Sequence, residues 1–340
     1  MYILGIESSC DETSAAVVEM TDTDRKILSN IVASQIDVHR LYGGVVPEIA
    51  SRAHIEAISR ITYEALETAW LTISDIGAIA VTAFPGLIGA LLVGVNFAKS
   101  LAFSRNIPLV AVDHVKAHVA ASYLTREDLK PPFTALVVSG GHTSIYKVDG
   151  YTDFVQIGGT RDDAAGEAFD KIGRVIGLPY PGGAAMDKLA YEGDAKAVAL
   201  PSPALVGDTA DFSFSGIKTA ALNYINSEKQ KGNEINRADL AASYTKKIVD
   251  AIVKKTDLAM ERSGSRQLVL AGGVAANSHL RNALSELCAR KKYDFITPPL
   301  KLCGDNAAMV AAAGYFEYLN GNFADTSLNA SACDIIETSR

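Results

Sequence analysis

His114-Val-Lys-Ala-His118 sets two imidazoles four residues apart. In a helix, residues i and i+4 share one face, so both rings can reach one ion. Spacing alone leaves two readings open: a ligand pair, or two histidines that share a helix face by chance. A zinc peptidase of the H-E-x-x-H type needs glutamate after the first histidine as its base, and Val115 stands there, which disfavours that chemistry. A two-histidine centre also needs at least one oxygen ligand. Asp305, in Cys303-Gly304-Asp305-Asn306 at an expected helix start, is the candidate; a helix N-cap is its other reading.

Two glycine turns suit an anion. Ser139-Gly140-Gly141 falls in the turn of an expected hairpin, where missing side chains let backbone N–H groups come close to a ligand. A plain tight turn explains it equally well. Leu268-Val-Leu-Ala-Gly272-Gly273-Val-Ala-Ala-Asn277 reads as buried strand, glycine turn and helix N-terminus, suited to a phosphate or a purine. It is neither G-x-G-x-x-G nor a Walker A. Asp11 and Glu12 in the first turn, and Asp170 in Gly166-Glu-Ala-Phe-Asp170-Lys171, are candidate acids or bases. Each also reads as a surface carboxylate.

The elements that must position these groups alternate. An opening hairpin, Ile3 to Ile6 and Ala15 to Val18, precedes a short strand near Ile31 to Ala33, a helix from about His54 to Trp70, a strand Ile76 to Ala83, a helix Leu87 to Arg105 and a strand Leu109 to Asp113. The His114 to Leu124 segment looks helical. A second hairpin, Phe133 to Ser139 and Thr143 to Val148, echoes the first. Helices are expected near 163–176, 183–192, 215–228, 238–263, 276–291 and 305–320, with strands at 268–270 and 295–297. This pattern predicts an α/β, two-lobed, duplicated architecture. The lobes are expected over 1–112 plus 305–325 and over 113–304, with a loose polar tail at 326–340.

Composition narrows the partners. With 340 residues, 48% apolar content, net charge -7 and pI about 5.4, two cores are possible but no global basic field draws in nucleic acid. The basic groups at Lys246, Lys247, Lys254, Lys255 and at Arg290, Lys291, Lys292 read first as solvated helix faces. Cys10, Cys288, Cys303 and Cys333 form no C-x-x-C pair, so neither a disulfide framework nor a zinc knuckle is expected. The apolar run from Leu87 to Val95 is too short to span a bilayer. The opening residues carry no leader-like pattern, and a cytoplasmic location is expected.

Taken together, the stretches Gly5 to Thr13, Val46 to His54, Pro85 to Gly89, the His114–His118 helix, Val138 to Thr143, Gly166 to Lys171, Tyr180 to Gly183, Phe212 to Lys218, Gly272 to Asn277 and Gly304 to Asn306 resemble the TsaD family. These are tRNA N6-adenosine threonylcarbamoyltransferases within the actin-like ATPase and sugar-kinase superfamily. The resemblance implies two duplicated mixed-sheet domains with a cleft between them. It implies transfer of a threonylcarbamoyl group from threonylcarbamoyl-AMP to the N6 amine of adenosine 37 in tRNAs that read codons beginning with A, with release of AMP. Carried onto this sequence, the metal ligands fall on His114, His118 and Asp305. Substrate contacts fall on Val137, Val138, Ser139, Gly140, Gly141, Asp170, Gly183, Asp187 and Asn277. Asp11 or Glu12 is the expected proton acceptor.

One divalent metal per chain is implied, Fe2+ with Zn2+ as the alternative, and the partners implied are tRNA, an inactive paralogue and a P-loop ATPase, with no membrane. Phe84 stands where the family usually has glycine. Val137 stands where archaeal members resemble each other in placing a ligand tyrosine, so three protein ligands of bacterial type are expected. A small-molecule kinase or a nucleotide-switched scaffold of the same superfamily would leave the histidine pair idle.

Overall fold

The computed structural model describes residues 1–333 apart from 22, 23, 204, 206 and 207. The chain divides into two compact units, Met1–Lys130 with Pro298–Arg340, and Pro131–Thr297.

The first unit is built on β1 (Tyr2–Glu7), β2 (Glu12–Met20), β3 (Arg25–Ser34), β4 (Ala78–Phe84) and β5 (Leu109–Asp113). They lie in the order β3-β2-β1-β4-β5, the first three antiparallel and the last three parallel. Side chains alternate across a strand, and in β1 both faces are covered. Leu4 and Ile6 join Val17, Ile79 and Val81 in a core closed by Ile58 of α2 (Pro47–Thr68) and Val95, Ala98 and Ala102 of α3 (Ile88–Arg105). Gly5 faces the other way, against α10 (Ala307–Leu319), where an added Cβ would overlap the Ala307 carbonyl oxygen and come within 2.8 Å of the Ala311 nitrogen. Burial on both faces explains the near-continuous apolar run in β1.

The second unit repeats the plan with β6 (Phe133–Val138), β7 (Thr143–Val148), β8 (Phe154–Gly159), β9 (Gln267–Ala271) and β10 (Asp294–Ile296), ordered β10-β9-β6-β7-β8. Again a three-stranded antiparallel part adjoins a parallel one. Its helices are α5 (Ala165–Val175), α6 (Gly182–Leu189), α7 (Ser215–Gln230), α8 (Arg237–Ser263) and α9 (Ser278–Lys291). The duplicated, mixed-sheet α/β architecture expected of the sequence is present.

Several details differ from expectation. α2 begins at Pro47, whose fixed φ suits a first helical position, rather than at His54. α1 (Ile36–Arg40) and β8 were not foreseen; β8 is an edge strand whose exposed Val155 and Gln156 blur the alternation. The helix of the histidine pair, α4 (His114–Ala120), belongs to the first unit and not the second. The reason is that β5 pairs with β4 and α4 packs on α10. Residues 326–333 are docked and not loose. Lys99 Nζ donates to the Thr326 and Leu328 carbonyls at 3.5 and 2.8 Å, Ser331 N donates to the Ala83 carbonyl at 3.0 Å, and Leu328 and Ala330 pack on the core. Residues 334–340 of that tail lie outside the described residues.

Replacing Gly5 with alanine drives a methyl into the α10 backbone, which cannot yield as a side-chain tip can. Gly5→Ala is expected to destabilise the protein by about 1–3 kcal/mol in denaturant unfolding; unchanged stability would show that α10 is not seated on β1.

Candidate functional site

The histidine pair is delivered by a cap. Asp113, the last residue of β5, accepts from Val115 N at 2.8 Å and Lys116 N at 3.1 Å, so α4 starts at His114. His114 and His118 then lie edge to face with centroids 4.7 Å apart. α10 supplies the third member. Its N-cap is Asn306, whose Oδ1 accepts from Met309 N at 3.1 Å, so Asp305 is not spent on capping. Ser14 Oγ and Asn30 Oδ1 accept from Ala307 N and Ala308 N and tie this helix end to β2 and β3. Asp305 Oδ1 lies 3.3 Å from His118 Nε2 and 3.6 Å from His114 Nε2.

The triad suits a divalent metal. Its ligand atoms all lie within 4.8 Å of one another, and bonds of about 2.0–2.2 Å to a common ion would set such atoms roughly 3–3.5 Å apart. His118 is buried, and neither of its ring nitrogens has a hydrogen-bond partner among the described residues. A buried imidazole left unpaired costs free energy that coordination would offset.

Glu7 is the residue that sequence reasoning missed. Fully buried at the end of β1, it accepts from Ser9 N at 2.5 Å, Thr82 Oγ1 at 2.6 Å and His114 Nδ1 at 3.1 Å. Burial pushes its carboxyl up, but the His114 charge and hydrogen bond prevail and hold it below the usual range. Burial likewise opposes a charged His114, yet Asp305 and Glu7 together raise it to about 9. With Nδ1 donating to Glu7, His114 turns its Nε2 toward Asp305, where a bound cation would take the place of the Nε2 proton; such a carboxylate–imidazole pair orients a metal ligand. The only signal in the sequence was a glutamate closing a run of apolar strand residues.

His54 holds the same turn from its other end. Its Nε2 donates to the Cys10 carbonyl at 3.0 Å and its Nδ1 accepts from Thr13 Oγ1 at 2.8 Å. Burial keeps it below the usual imidazole range. Asp11 is buried and Glu12 half-buried in that turn. Burial, followed by the Asp305 and Asp11 charges, pushes Glu12 up to about 10. Burial and the same acids raise the Cys10 thiol well above its ordinary value. The turn is electronegative and suited to a cation.

In the second unit the nine expected substrate residues fall on four adjoining backbone segments. Ser139 N donates to the His142 carbonyl at 2.8 Å and closes the Gly140-Gly141 turn, which is open on its outer side. Gly166 N, in the first turn of α5, donates to the Ser139 carbonyl at 3.3 Å. Asp170, later in α5, accepts from Gly183 N at 2.8 Å and anchors the start of α6. Asp187, in α6, accepts from Ser278 N and Ser278 Oγ at 3.1 and 2.8 Å, and Asn277 caps α9 through Leu280 N at 2.9 Å. Gly272, with φ +94, packs so closely on the Val138 carbonyl that a Cβ would overlap it. The segments therefore form a closed ring of contacts. Val137 and Val138 have no exposed surface, so they support the turn from beneath rather than offer a contact surface. Asp170 and Asp187 spend oxygens on helix N-termini, a positioning role that the sequence did not show.

The fold is an α/β, actin-like one, and it carries a His-His-Asp cluster in which both histidines are buried and Asp305 is partly so. Among solved structures, full-length HypF in its phosphate- and nucleotide-bound form aligns over 98% of this chain and 47% of its own, with TM-score 0.60 and 15% identity. The (R)-2-hydroxyglutaryl-CoA dehydratase component A of Acidaminococcus fermentans aligns over 94% of this chain and 97% of its own, with TM-score 0.53 and 17% identity. These likenesses concern the fold alone. The family model for TsaD, tRNA N6-adenosine threonylcarbamoyltransferase, matches residues 26–312. A tRNA N6-adenosine threonylcarbamoyltransferase of Clostridium botulinum (strain 657 / Type Ba4) is 54% identical over 328 residues, 96% of each chain. The chain belongs to the TsaD family, and is a transferase.

Because Glu7 orients His114, Glu7→Gln is expected to weaken divalent-metal binding about 10- to 100-fold in chelator competition. Wild-type affinity in this variant would remove the orienting role.

Proposed function

We propose that this transferase moves a threonylcarbamoyl group from threonylcarbamoyl-AMP to the N6 amine of adenosine 37 in tRNAs reading codons that begin with A, releasing AMP. The observation that carries it is the buried His118, whose ring nitrogens have no hydrogen-bond partner among the described residues and whose Nε2 lies 3.3 Å from Asp305 Oδ1, in a chain of this family. His114, His118 and Asp305 would hold one divalent ion, Fe2+ in preference to Zn2+. A bound ion supplies Lewis acidity to acyl-donor oxygens. The chain's own groups do the rest.

Glu7 and Ser9 keep His114 turned inward. Ser139, Gly140 and Gly141, supported by the buried Val137 and Val138, cradle the donor's phosphate; Asp170, Gly183, Asp187 and Asn277 fix its ribose and adenine. An adenosine amine is a weak nucleophile, so holding the acyl donor in place carries much of the rate. Asp11 or Glu12, together in the first turn, serves as the proton acceptor. With a net charge of -7, the chain shares tRNA with an inactive paralogue and a P-loop ATPase in the cytoplasm. No helix among the described residues is long and apolar enough to cross a membrane.

Depleting the chain from its host should remove the threonylcarbamoyl mark from tRNA adenosine, measured by mass spectrometry of nucleosides, and re-expression should restore it. Persistence of the mark without this chain would overturn the proposal. His118→Ala should fail to restore it and should purify with under about a tenth of the wild-type metal, read by elemental analysis.

A further inference from the structure

We propose that Tyr191 is the stacking platform for the adenine ring of the adenylate donor, an inference that rests on the adenylate site proposed above. Tyr191 lies in the short turn Ala190–Glu192 directly after α6, four residues beyond Asp187. Its ring stacks on the His279 imidazole, with centroids 4.1 Å apart and planes 25° from parallel. Its hydroxyl lies 2.8 Å from Ser278 Oγ. Because Ser278 Oγ–H donates to Asp187 at 2.8 Å, Tyr191 is the donor of the first bond. His279 is fixed as well, its Nε2 donating to the Asp187 carbonyl at 3.3 Å. Asp187 thus locks both rings.

The chain beyond is held too. Asp194 N donates to Asp239 at 2.8 Å, and Gly193 packs on the Ala238 backbone. Tyr191 is nonetheless 61% exposed. An ordinary surface tyrosine keeps its rotamer freedom, whereas this one has already lost it. One face is covered by His279, and the opposite face meets solvent. A pre-oriented aromatic face stacks any nucleobase, an interaction that alanine substitution weakens by roughly tenfold or more per base. Ser278, which holds the hydroxyl, directly follows Asn277, one of the residues expected at the adenine. The donor's base is therefore the occupant.

Calorimetric titration of AMP and of ribose 5-phosphate into the full chain separates the base from the rest of the nucleotide. Y191A is expected to weaken AMP about tenfold, to leave ribose 5-phosphate within about twofold, and to unfold at the wild-type temperature, while Y191F keeps AMP within about threefold. In turnover, Y191A should raise the KM for the adenylate donor and not that for tRNA. AMP binding unmoved by Y191A, or a KM increase confined to tRNA, overturns the platform while the adenylate site stands. A wild-type chain that binds no AMP removes that site and the platform together.

Discussion

Glu7 is a carboxylate with no exposed surface, and the first unit is organised around satisfying it. An unpaired buried charge costs several kcal/mol, so donors must converge from outside its strand. They come from three places: Ser9 N in the following turn, Thr82 Oγ1 in β4 and His114 Nδ1 at the start of α4. Meeting Glu7 therefore fixes the turn, the neighbouring strand and the ligand-bearing helix together. It also sets the ring orientation of His114, and with it the nitrogen turned toward Asp305. The close seat of α10 on Gly5 brings Asp305 from the opposite end of the chain to the same place.

The two units put one sheet plan to different uses. In the first, the turn between the antiparallel strands is lined with side chains, from Glu7 to Asp11, and packed shut by His54. In the second, the corresponding turn is Ser139-Gly140-Gly141-His142, with open space outside its glycines. Three helices, α5, α6 and α9, begin beside it or are tied to it, through Gly166, Asp170 and Asp187. One turn gathers acids, and the other leaves its glycines open to the outside.

Much of this was legible in the sequence because local rules carried it. The hairpins, the strand–helix alternation and the i, i+4 histidines depend on neighbours a few residues apart, and they lie where periodicity puts them. Asp305 was legible as a ligand candidate, though its competing role as a cap was settled only by Asn306 taking that position. Glu7 was illegible because its partners are 2, 75 and 107 residues away, and no spacing rule reaches so far. β8 was hidden by exposed Val155 and Gln156, and the docking of residues 326–333 rests on Lys99, more than 200 residues earlier. The boundary of the first unit depended on the pairing of β5 with β4, which a linear reading cannot see.

The basic clusters on α8 and α9 are partly paired where they stand. Lys246 pairs with Asp250 at 2.7 Å, Lys291 with Asp257 and Glu261 at 3.2 and 2.8 Å, and Lys255 donates to the Thr209 carbonyl. Exposed pairs of this kind add little stability, but they weaken the field that a run of lysines would otherwise project. Tight nucleic-acid binding draws on the release of counterions by unpaired cations. With a total charge of -7 and some of these lysines paired internally, the two helices present a solvated, partly paired face rather than a strong nucleic-acid field.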